Sequence, residues 1–357
     1  EDDSPLVTDR RGTPIKTVQN LQIIFETNPE LRGRFAYNSR SEEYMMRPFS
    51  GEAIRPLRDG DLFEVRAFLV QQYQVQWSKE DTSDALEWAA RARPFDPVAQ
   101  ELREVQWDGT ERLDSWLVDY CAAEDNPLNR HIGRQWLKGA VARALEPGVQ
   151  MDHVLVLEGE QGIGKTSTLR ILGGRHYLDS PMELGGQVKQ SDIVRELYLA
   201  GAWLVELGEL QALAGQYKRE SAIKQFITTS KDQIRMLYSR YALSKPRSFV
   251  LAGTTNSSTY LSDVQNRRWL PVRMGQLDRE GLERDRDALL AEAVVAWEAD
   301  RDLRISREHE EALNARRSER RDVRPDEEAI MGMLEKRTVV TMREVYEIAG
   351  TRWDKRG

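Results

Sequence analysis

The strongest structural signal in the chain is the segment MDHVLVLEGEQGIGKTSTLRILGG, residues 151–174. It consists of a short apolar run with β-branched residues, a glycine-rich turn and a stretch with helical character. Three further candidate strands follow at residues 202–207, 247–255 and 267–274, with helical sequence between them. Strands that alternate with helices predict an α/β fold with a parallel sheet flanked by helices.

The turn in this segment has the spacing of a phosphate-binding loop. Residues 159–166, GEQGIGKT, fit G-x-x-x-x-G-K-[ST], a pattern whose glycines let successive backbone N–H groups point at phosphate oxygens. Lys165 is predicted to reach the β- and γ-phosphates, and the Thr166 hydroxyl to bind Mg²⁺. The predicted nucleotide ligands are Gly159, Gln161, Gly162, Ile163, Gly164, Lys165, Thr166 and Ser167.

Two acidic residues follow the second candidate strand. A P-loop enzyme needs one acid at the end of a neighbouring strand for Mg²⁺ and a group that directs water at the γ-phosphate. We assign Glu206 to the metal and Glu209 to water activation. The spacing of three residues leaves this division of roles open, and a surface glutamate at a strand end is the alternative for each.

Polar and basic residues mark the ends of the other two strands. Asn256 follows the strand at 247–255, where its amide could bond both the attacking water and the γ-phosphate; a turn-forming Asn is the alternative. Arg267 and Arg268 come directly before the last strand. A guanidinium there could neutralise transition-state charge in a neighbouring subunit. The alternative is a pair bound to a carboxylate or to solvent.

The region between the carboxylates and Asn256 is basic. Residues 216–247 contain eight Lys and Arg against two acidic residues, a local charge of +6 in a chain whose net charge is −7. Tyr238 and Tyr241 are interleaved with these charges. The combination is typical of a groove that binds single-stranded nucleic acid, and a solvated basic face is the alternative.

Composition excludes several other classes of protein. The length of 357 residues predicts two or three domains. The single cysteine, Cys121, excludes an intrachain disulfide, and four scattered histidines exclude a Cys/His zinc site. No apolar run approaches the roughly 20 residues of a membrane span. We therefore expect an intracellular protein with no membrane partner.

Several blocks of sequence carry a resemblance to a known family. They are WDGTERLDSWL (107–117), RQWLKGAVARALEPG (134–148), the loop segment, AWLVELGEL (202–210), IKQFITTSKDQIRMLYSRY (223–241) and VLAGTTNSSTYLSDVQNRRWLPV (250–272). With these the chain resembles the virulence-associated protein E family, P-loop ATPases of phages and genomic islands related to superfamily 3 helicases and viral primase-helicases. The resemblance covers roughly residues 100–275.

The resemblance implies an AAA+-like fold assembled as a hexameric ring, with ATP and Mg²⁺ bound between subunits. It implies that Glu206 takes the Walker B place, Asn256 the sensor place, and one of Arg267 and Arg268 the finger that acts in trans. It also implies that the basic region contains a loop or hairpin facing DNA. Candidates for DNA contact, some of which could instead serve the adjacent ATP site, are Lys224, Arg235, Arg240 and Lys245.

Three regions follow along the chain. Residues 1–105 are predicted as a mostly helical accessory region, and residues 106–275 as the ATPase core with its leading helices. Residues 276–357 are predicted as charged helices that end in the start of a winged helix-turn-helix, with the charge run at 306–328 a solvated helical face. The chain begins without Met and shows no primase pattern, as expected of a fragment or a stand-alone helicase.

The predicted function is that of an ATP-dependent DNA helicase or translocase. It would act on single-stranded or forked DNA in the replication of a phage or mobile element, in the cytoplasm of the bacterial host. A primase or polymerase is a candidate partner. Two alternatives stay open: an origin-binding or loader protein that unwinds nothing, and a P-loop phosphotransferase.

Overall fold

The computed structural model describes residues 6–180, 189–208, 217–235, 242–261 and 267–321. The chain divides into two compact units, one formed by Glu1–Glu104 with Val194–Ala202 and the other by Val105–Ile193 with Trp203–Gly357. Three predictions fall outside the described residues: those for Glu209, for Arg240 and for the C-terminal helix-turn-helix.

The N-terminal unit combines helices with a small mixed sheet. Its elements are α1 (Val18–Thr27), β1 (Phe35–Asn38), β2 (Glu43–Met46), β3 (Arg55–Pro56), α2 (Asp59–Tyr73), α3 (Lys79–Arg91), β4 (Pro94–Phe95) and α4 (Pro97–Glu104). The strand order is β3-β2-β1-β4, with β4 parallel to β1 and the other pairs antiparallel. The side chains of Thr17 and Ser78 cap α1 and α3 by accepting backbone N–H bonds. One apolar cluster, which includes Phe25, Phe35 and Trp77, fills the space between helices and sheet.

The second unit contains the segments with the strongest sequence signals. Its elements are α5 (Trp116–Asp119), α6 (Pro127–Leu145), β5 (Val154–Glu158), α7 (Lys165–Gly173), β6 (Tyr177–Ser180), β7 (Leu204–Leu207), α9 (Tyr217–Thr228), β8 (Lys231–Ile234), β9 (Leu243–Pro246), β10 (Val250–Thr255), β11 (Trp269–Arg273), α10 (Arg279–Ala299) and α11 (Arg307–Glu319). Helix α8 (Gln190–Leu199) joins the two units along the chain.

Five strands form a wholly parallel sheet in the order β11-β5-β10-β7-β6. The prediction of a parallel α/β sheet is confirmed, and every residue of β5 and β7 is buried, as expected for strands covered on both faces. Helix α6 lies against this sheet, where the indole of Trp136 donates to Leu251 O at 3.1 Å. β10, which ends directly before Asn256, lies between β5 and β7. The phosphate loop follows β5, and Glu206 lies near the end of β7, so both adjoin the strand that leads to Asn256.

Over the part of the charge run at 306–328 that the structure describes, most side chains of α11 are exposed, as predicted for a solvated helical face. Helix α11 is not solvated on all sides, because Arg317 is 4% exposed and lies against the backbone of β11. No helix of the described ranges is both long and apolar enough to cross a bilayer.

Candidate nucleotide-binding site

The phosphate loop joins the carboxyl end of β5 to the first residue of α7. Its glycines adopt backbone angles that other residues rarely adopt, with φ of 150° at Gly159 and 105° at Gly164. A Cβ at Gly164 would also lie 2.6 Å from the Cβ of Leu277, and one at Gly159 would lie 2.4 Å from the Cδ1 of Ile163. The loop thus needs glycine at both positions, for its backbone angle and for the space around it.

The ammonium of Lys165 lies over this loop. Its Nζ donates to the carbonyls of Gly159 and Glu160 at 2.8 and 2.7 Å, and to Asn256 Oδ1 at 2.6 Å. Burial lowers the pKa of Lys165, while the nearby charge of Glu206 acts in the opposite direction. The structure therefore brings the predicted phosphate ligand and the predicted sensor residue into direct contact.

Glu206 is buried beside the loop and accepts three hydroxyl hydrogen bonds. Its Oε1 accepts from Thr166 at 2.8 Å and from Thr254 at 2.6 Å, and its Oε2 accepts from Tyr177 at 2.5 Å. Glu206 itself is 2% exposed. The two predicted Mg²⁺ ligands, Thr166 and Glu206, are thus adjacent.

The donor set suits Mg²⁺ held jointly with phosphates. A hydroxyl and a carboxylate supply hard oxygen atoms, and Mg²⁺ is usually held by one or two carboxylates together with substrate phosphates and water. The described residues contain no group of three or more His, Cys, Asp and Glu that could hold a metal without such help. Thr166 and Glu206 fit an ion that arrives with a nucleotide.

Two of the groups around Glu206 were missed by sequence reasoning. Thr254 belongs to the polar end of β10, two residues before Asn256, and that position was the available signal. Tyr177 lies on β6, which was not predicted as a strand. In parallel register, Asp179 pairs with Glu206, and burial and the Glu206 charge together raise the pKa of Asp179.

The remaining loop residues are held from the segment that follows β11. Ile163 O accepts the backbone N–H of Leu277 at 3.0 Å, and Ser167 Oγ accepts from Arg279 Nη2 at 3.0 Å. Gln161 and Gly162 lie in the turn of the loop. Arg279, which the sequence did not single out, therefore places a cation next to the first turn of α7.

The end of β5 is fixed by charge. Glu158, the last residue of the strand, accepts from Arg320 Nε and Nη2 at 2.8 and 3.0 Å and from the hydroxyl of Tyr260 at 2.7 Å. Burial, with the charge of Glu158, raises the pKa of Tyr260 well above its usual value, so this hydroxyl stays a donor. The phosphate loop therefore starts from an anchored residue.

Arg267 and Arg268 do not belong to this site. They precede β11 at its amino end, whereas the carboxyl end of that strand pairs Arg273 with Glu158 beside the loop. Five residues of strand separate Arg268 from Arg273, about 16 Å at 3.3 Å per residue. Arg267 is exposed, and no described group hydrogen-bonds to the buried Nε of Arg268.

The basic region contains α9 and a two-stranded antiparallel hairpin, β8 with β9. A buried ion pair at its base joins Arg247 Nη2 to Asp232 Oδ1 at 2.5 Å, with the guanidinium over the rings of Phe226 and Phe249. Arg247 is thus an internal residue of the hairpin. Of the DNA-contact candidates, Arg235 is exposed at the end of β8, Lys224 is half-buried on α9, and Lys245 is 7% exposed on β9.

A parallel sheet with a phosphate loop, a buried carboxylate and a lysine–asparagine contact at one edge is compatible with a P-loop NTPase. The chain belongs to the virulence-associated protein E-like family, because the sequence profile of that domain matches residues 102–322, more than half of the chain. The resemblance predicted from the sequence is thereby confirmed.

A solved structure shows a similar fold. The A form of the apo NrS-1 C-terminal region aligns with a TM-score of 0.50 at 12% identity, over 96% of this chain and 92% of that one. Another apo structure of the same region aligns with a TM-score of 0.48 at 13% identity, over 88% and 82%. No curated protein sequence matches the chain.

Proposed function

We propose that the chain is an ATP-driven DNA translocase or helicase of the superfamily 3 type, with an AAA+-like core, that acts in the replication of a phage or mobile element. The observation that carries the proposal is the convergence of Lys165, Thr166, Glu206 and Asn256 on one phosphate loop. Family membership supports it, since the matched domain spans both the loop and β11.

In this proposal each side chain has a defined task. The loop N–H groups and Lys165 would bind the phosphates, and Thr166 with Glu206 would hold Mg²⁺, which would supply positive charge beside them. Asn256 is released from Lys165 when phosphate oxygens replace it as the acceptor, and it then orients the attacking water together with Glu209. Tyr177 and Thr254 hold the Glu206 carboxylate in place.

The position of Arg267 and Arg268 supports an assembled ring. Because they lie at the opposite end of β11 from their own phosphate loop, they cannot serve the nucleotide bound there. One of them instead contacts the γ-phosphate of a neighbouring subunit, where an arginine finger is typically worth roughly 10³–10⁵ in rate. A hexamer with ATP sites at its interfaces satisfies this requirement.

The hairpin of β8 and β9 supports DNA as the ligand. It lies along the chain between the strand of Glu206 and the strand that ends before Asn256, so DNA bound by these two strands is linked through the chain to both parts of the nucleotide site. The basic candidates of this region, Lys224, Arg235, Arg240 and Lys245, bind the phosphates of single-stranded or forked DNA.

The test is steady-state ATPase activity with and without single-stranded DNA at low and moderate salt, with Lys165→Ala as the blank. We expect stimulation by DNA that weakens as salt rises, because phosphate contacts release counterions. Strand-displacement assays then separate a helicase from a loader. ATPase activity that is indifferent to DNA at both salt concentrations contradicts the proposal.

A further inference from the structure

The outer edge of β11 is occupied by arginine side chains of α11. Val154 N donates to Arg268 O at 2.8 Å, so the carbonyl of Arg268 points inward to β5. Carbonyls alternate in direction along a strand, which sends those of Arg267, Trp269 and Pro271 outward. Proline, which has no N–H, is found on such an edge rather than inside a sheet.

Arg317 binds two of these outward carbonyls at once. Its Nε donates to Trp269 O at 2.8 Å and its Nη2 to Arg267 O at 2.5 Å. Its Nη1 donates to Glu310 Oε1 at 3.1 Å and to Asn314 Oδ1 at 2.9 Å. All three nitrogens of a guanidinium that is 4% exposed are therefore bonded.

Arg316 binds the next outward carbonyl and provides an internal comparison. Its Nη1 donates to Pro271 O at 3.0 Å and to Asn129 Oδ1 at 2.6 Å. Like Arg317, it lies on α11, donates to a carbonyl of β11 and is at least partly buried. Its contact, however, lies four residues beyond Arg267, toward the other end of β11.

We propose that Arg317 is a positioning residue for catalysis in the neighbouring subunit: by binding the carbonyls of Arg267 and Trp269, it fixes the backbone that carries the trans-acting arginine. The inference rests on the proposed function, because it requires one of Arg267 and Arg268 to act across an interface. In this proposal Arg317 contacts neither the nucleotide of its own subunit nor that of the neighbouring subunit.

The physical reason is that catalysis tolerates little displacement of the groups that take part in it. A misplacement of about 1 Å at a catalytic group can cost roughly 10²-fold in rate. Residues 267–268 precede β11, which begins at Trp269, and the bond from Val154 N to Arg268 O ties this pair to β5 on its inner side. A planar fork that spans two carbonyls restricts this segment in a way that a lysine ammonium does not.

The test compares Arg317→Lys with Arg316→Lys. The first keeps the charge and loses the two-carbonyl bridge, so we expect kcat for ATP to fall about 10- to 100-fold with little change in KM. The second is expected to stay within about threefold of the wild type. Equal kcat values for the two variants would overturn the proposal.

Mixing then separates a positioning defect from a structural one. Lys165→Ala subunits have a dead site but an intact arginine to donate. An excess of them is expected to restore the activity of Arg317→Lys subunits, whose own nucleotide sites are unaltered. A loss that this mixture does not rescue means that Arg317 only stabilises its own subunit, and the proposal is then wrong.

The same mixture with Arg267→Ala and with Arg268→Ala separates the two proposals. Rescue of one of these variants, but not of Arg317→Lys, overturns the role of Arg317 and leaves the ring ATPase intact. If none of the three variants is rescued, both the role of Arg317 and the proposed ring ATPase are wrong.

If Arg317→Lys does not fold, Glu310→Gln replaces it in the test. That change removes the charge of a partly exposed carboxylate that accepts a hydrogen bond from Arg317. We expect a smaller loss of kcat, which Lys165→Ala subunits also rescue.

Discussion

At the scale of single residues, the surroundings of Glu206 explain how a buried carboxylate is kept in one orientation. Three hydroxyls, from Thr166, Thr254 and Tyr177, donate to its two oxygens. A buried charge is tolerated where its lone pairs are satisfied, and the loss of one donor leaves the desolvation penalty of the oxygen uncompensated. Of these three hydroxyls, that of Tyr177 donates to Oε2, and the other two donate to Oε1. We therefore expect the orientation of the carboxylate to be most sensitive to the loss of the Tyr177 hydroxyl.

We predict that Tyr177→Phe lowers kcat for ATP about 10-fold while the Kd for the nucleotide changes less than threefold, because the Glu206 carboxylate is freed to rotate. Tyr120→Phe is the matched control, since that hydroxyl also donates to a carboxylate, at 2.9 Å, but to Asp285 Oδ2 and not to Glu206. Both changes should cost about 1–3 kcal/mol of stability. Single-turnover kinetics and nucleotide titrations measure the difference, and an equal kcat for both variants contradicts the prediction.

At the scale of elements, the local sequence was sufficient to predict a strand where that strand is a continuous apolar run. The strands β5, β7, β10 and β11 were predicted because each is buried on both faces and is followed or preceded by marked polar residues. Two other kinds of strand were not. The segment YLDS of β6 is short and half polar, and β1 with β2 are four-residue strands whose burial depends on partners elsewhere in the chain.

The same reasoning separates the site residues that were predicted from those that were not. Lys165, Thr166 and Glu206 are marked by spacing within a few residues of a strand end. Tyr177 and Arg317 act through contacts with residues 29 and 50 positions away, at Glu206 and Arg267. No feature of the neighbouring sequence marks Tyr177 or Arg317, because their roles depend on contacts that form only when the chain folds.

A half-buried histidine directly before β5, His153, makes the stability of the protein sensitive to acid. Burial, followed by the charge of Arg317, lowers the pKa of His153 to about 4. Between pH 6.5 and 4 the unfolded chain binds a proton at this residue and the folded chain does not. The free energy of unfolding therefore rises with pH in this window, and its contribution is fully present above about 6.5.

We predict that His153 removes about 1.6 kcal/mol of stability as the pH falls from 6.5 to 5, at up to about 1.36 kcal/mol per pH unit. Urea unfolding of the wild type and of His153→Gln at several pH values measures this contribution as the difference between the two curves. The variant should show the shallower dependence on pH. Parallel curves would mean that the imidazole titrates alike in both states.

At the scale of the whole molecule, the two ends of the parallel sheet have different tasks. The proposed nucleotide ligands lie at the carboxyl ends of β5, β7 and β10, while Arg267 and Arg268 lie at the amino end of β11. A single subunit therefore contains both halves of the proposed catalytic arrangement but cannot use them on the same nucleotide. Under the proposed function, assembly is a condition for rapid hydrolysis.

We predict that the ATPase rate per subunit rises with protein concentration and reaches a plateau where light scattering shows the assembled state, because a subunit without a neighbour lacks the finger, typically worth roughly 10³–10⁵ in rate. The double variant Arg267→Ala, Arg268→Ala should assemble and still show the low rate at every concentration. Arg304→Ala is the control, since that side chain is 87% exposed and pairs with Asp302 in an exposed loop. The rate per subunit could instead be constant from dilute monomer to assembled ring. That result would contradict the division of the site between subunits, and with it the proposal that Arg267 or Arg268 acts on the nucleotide of a neighbour.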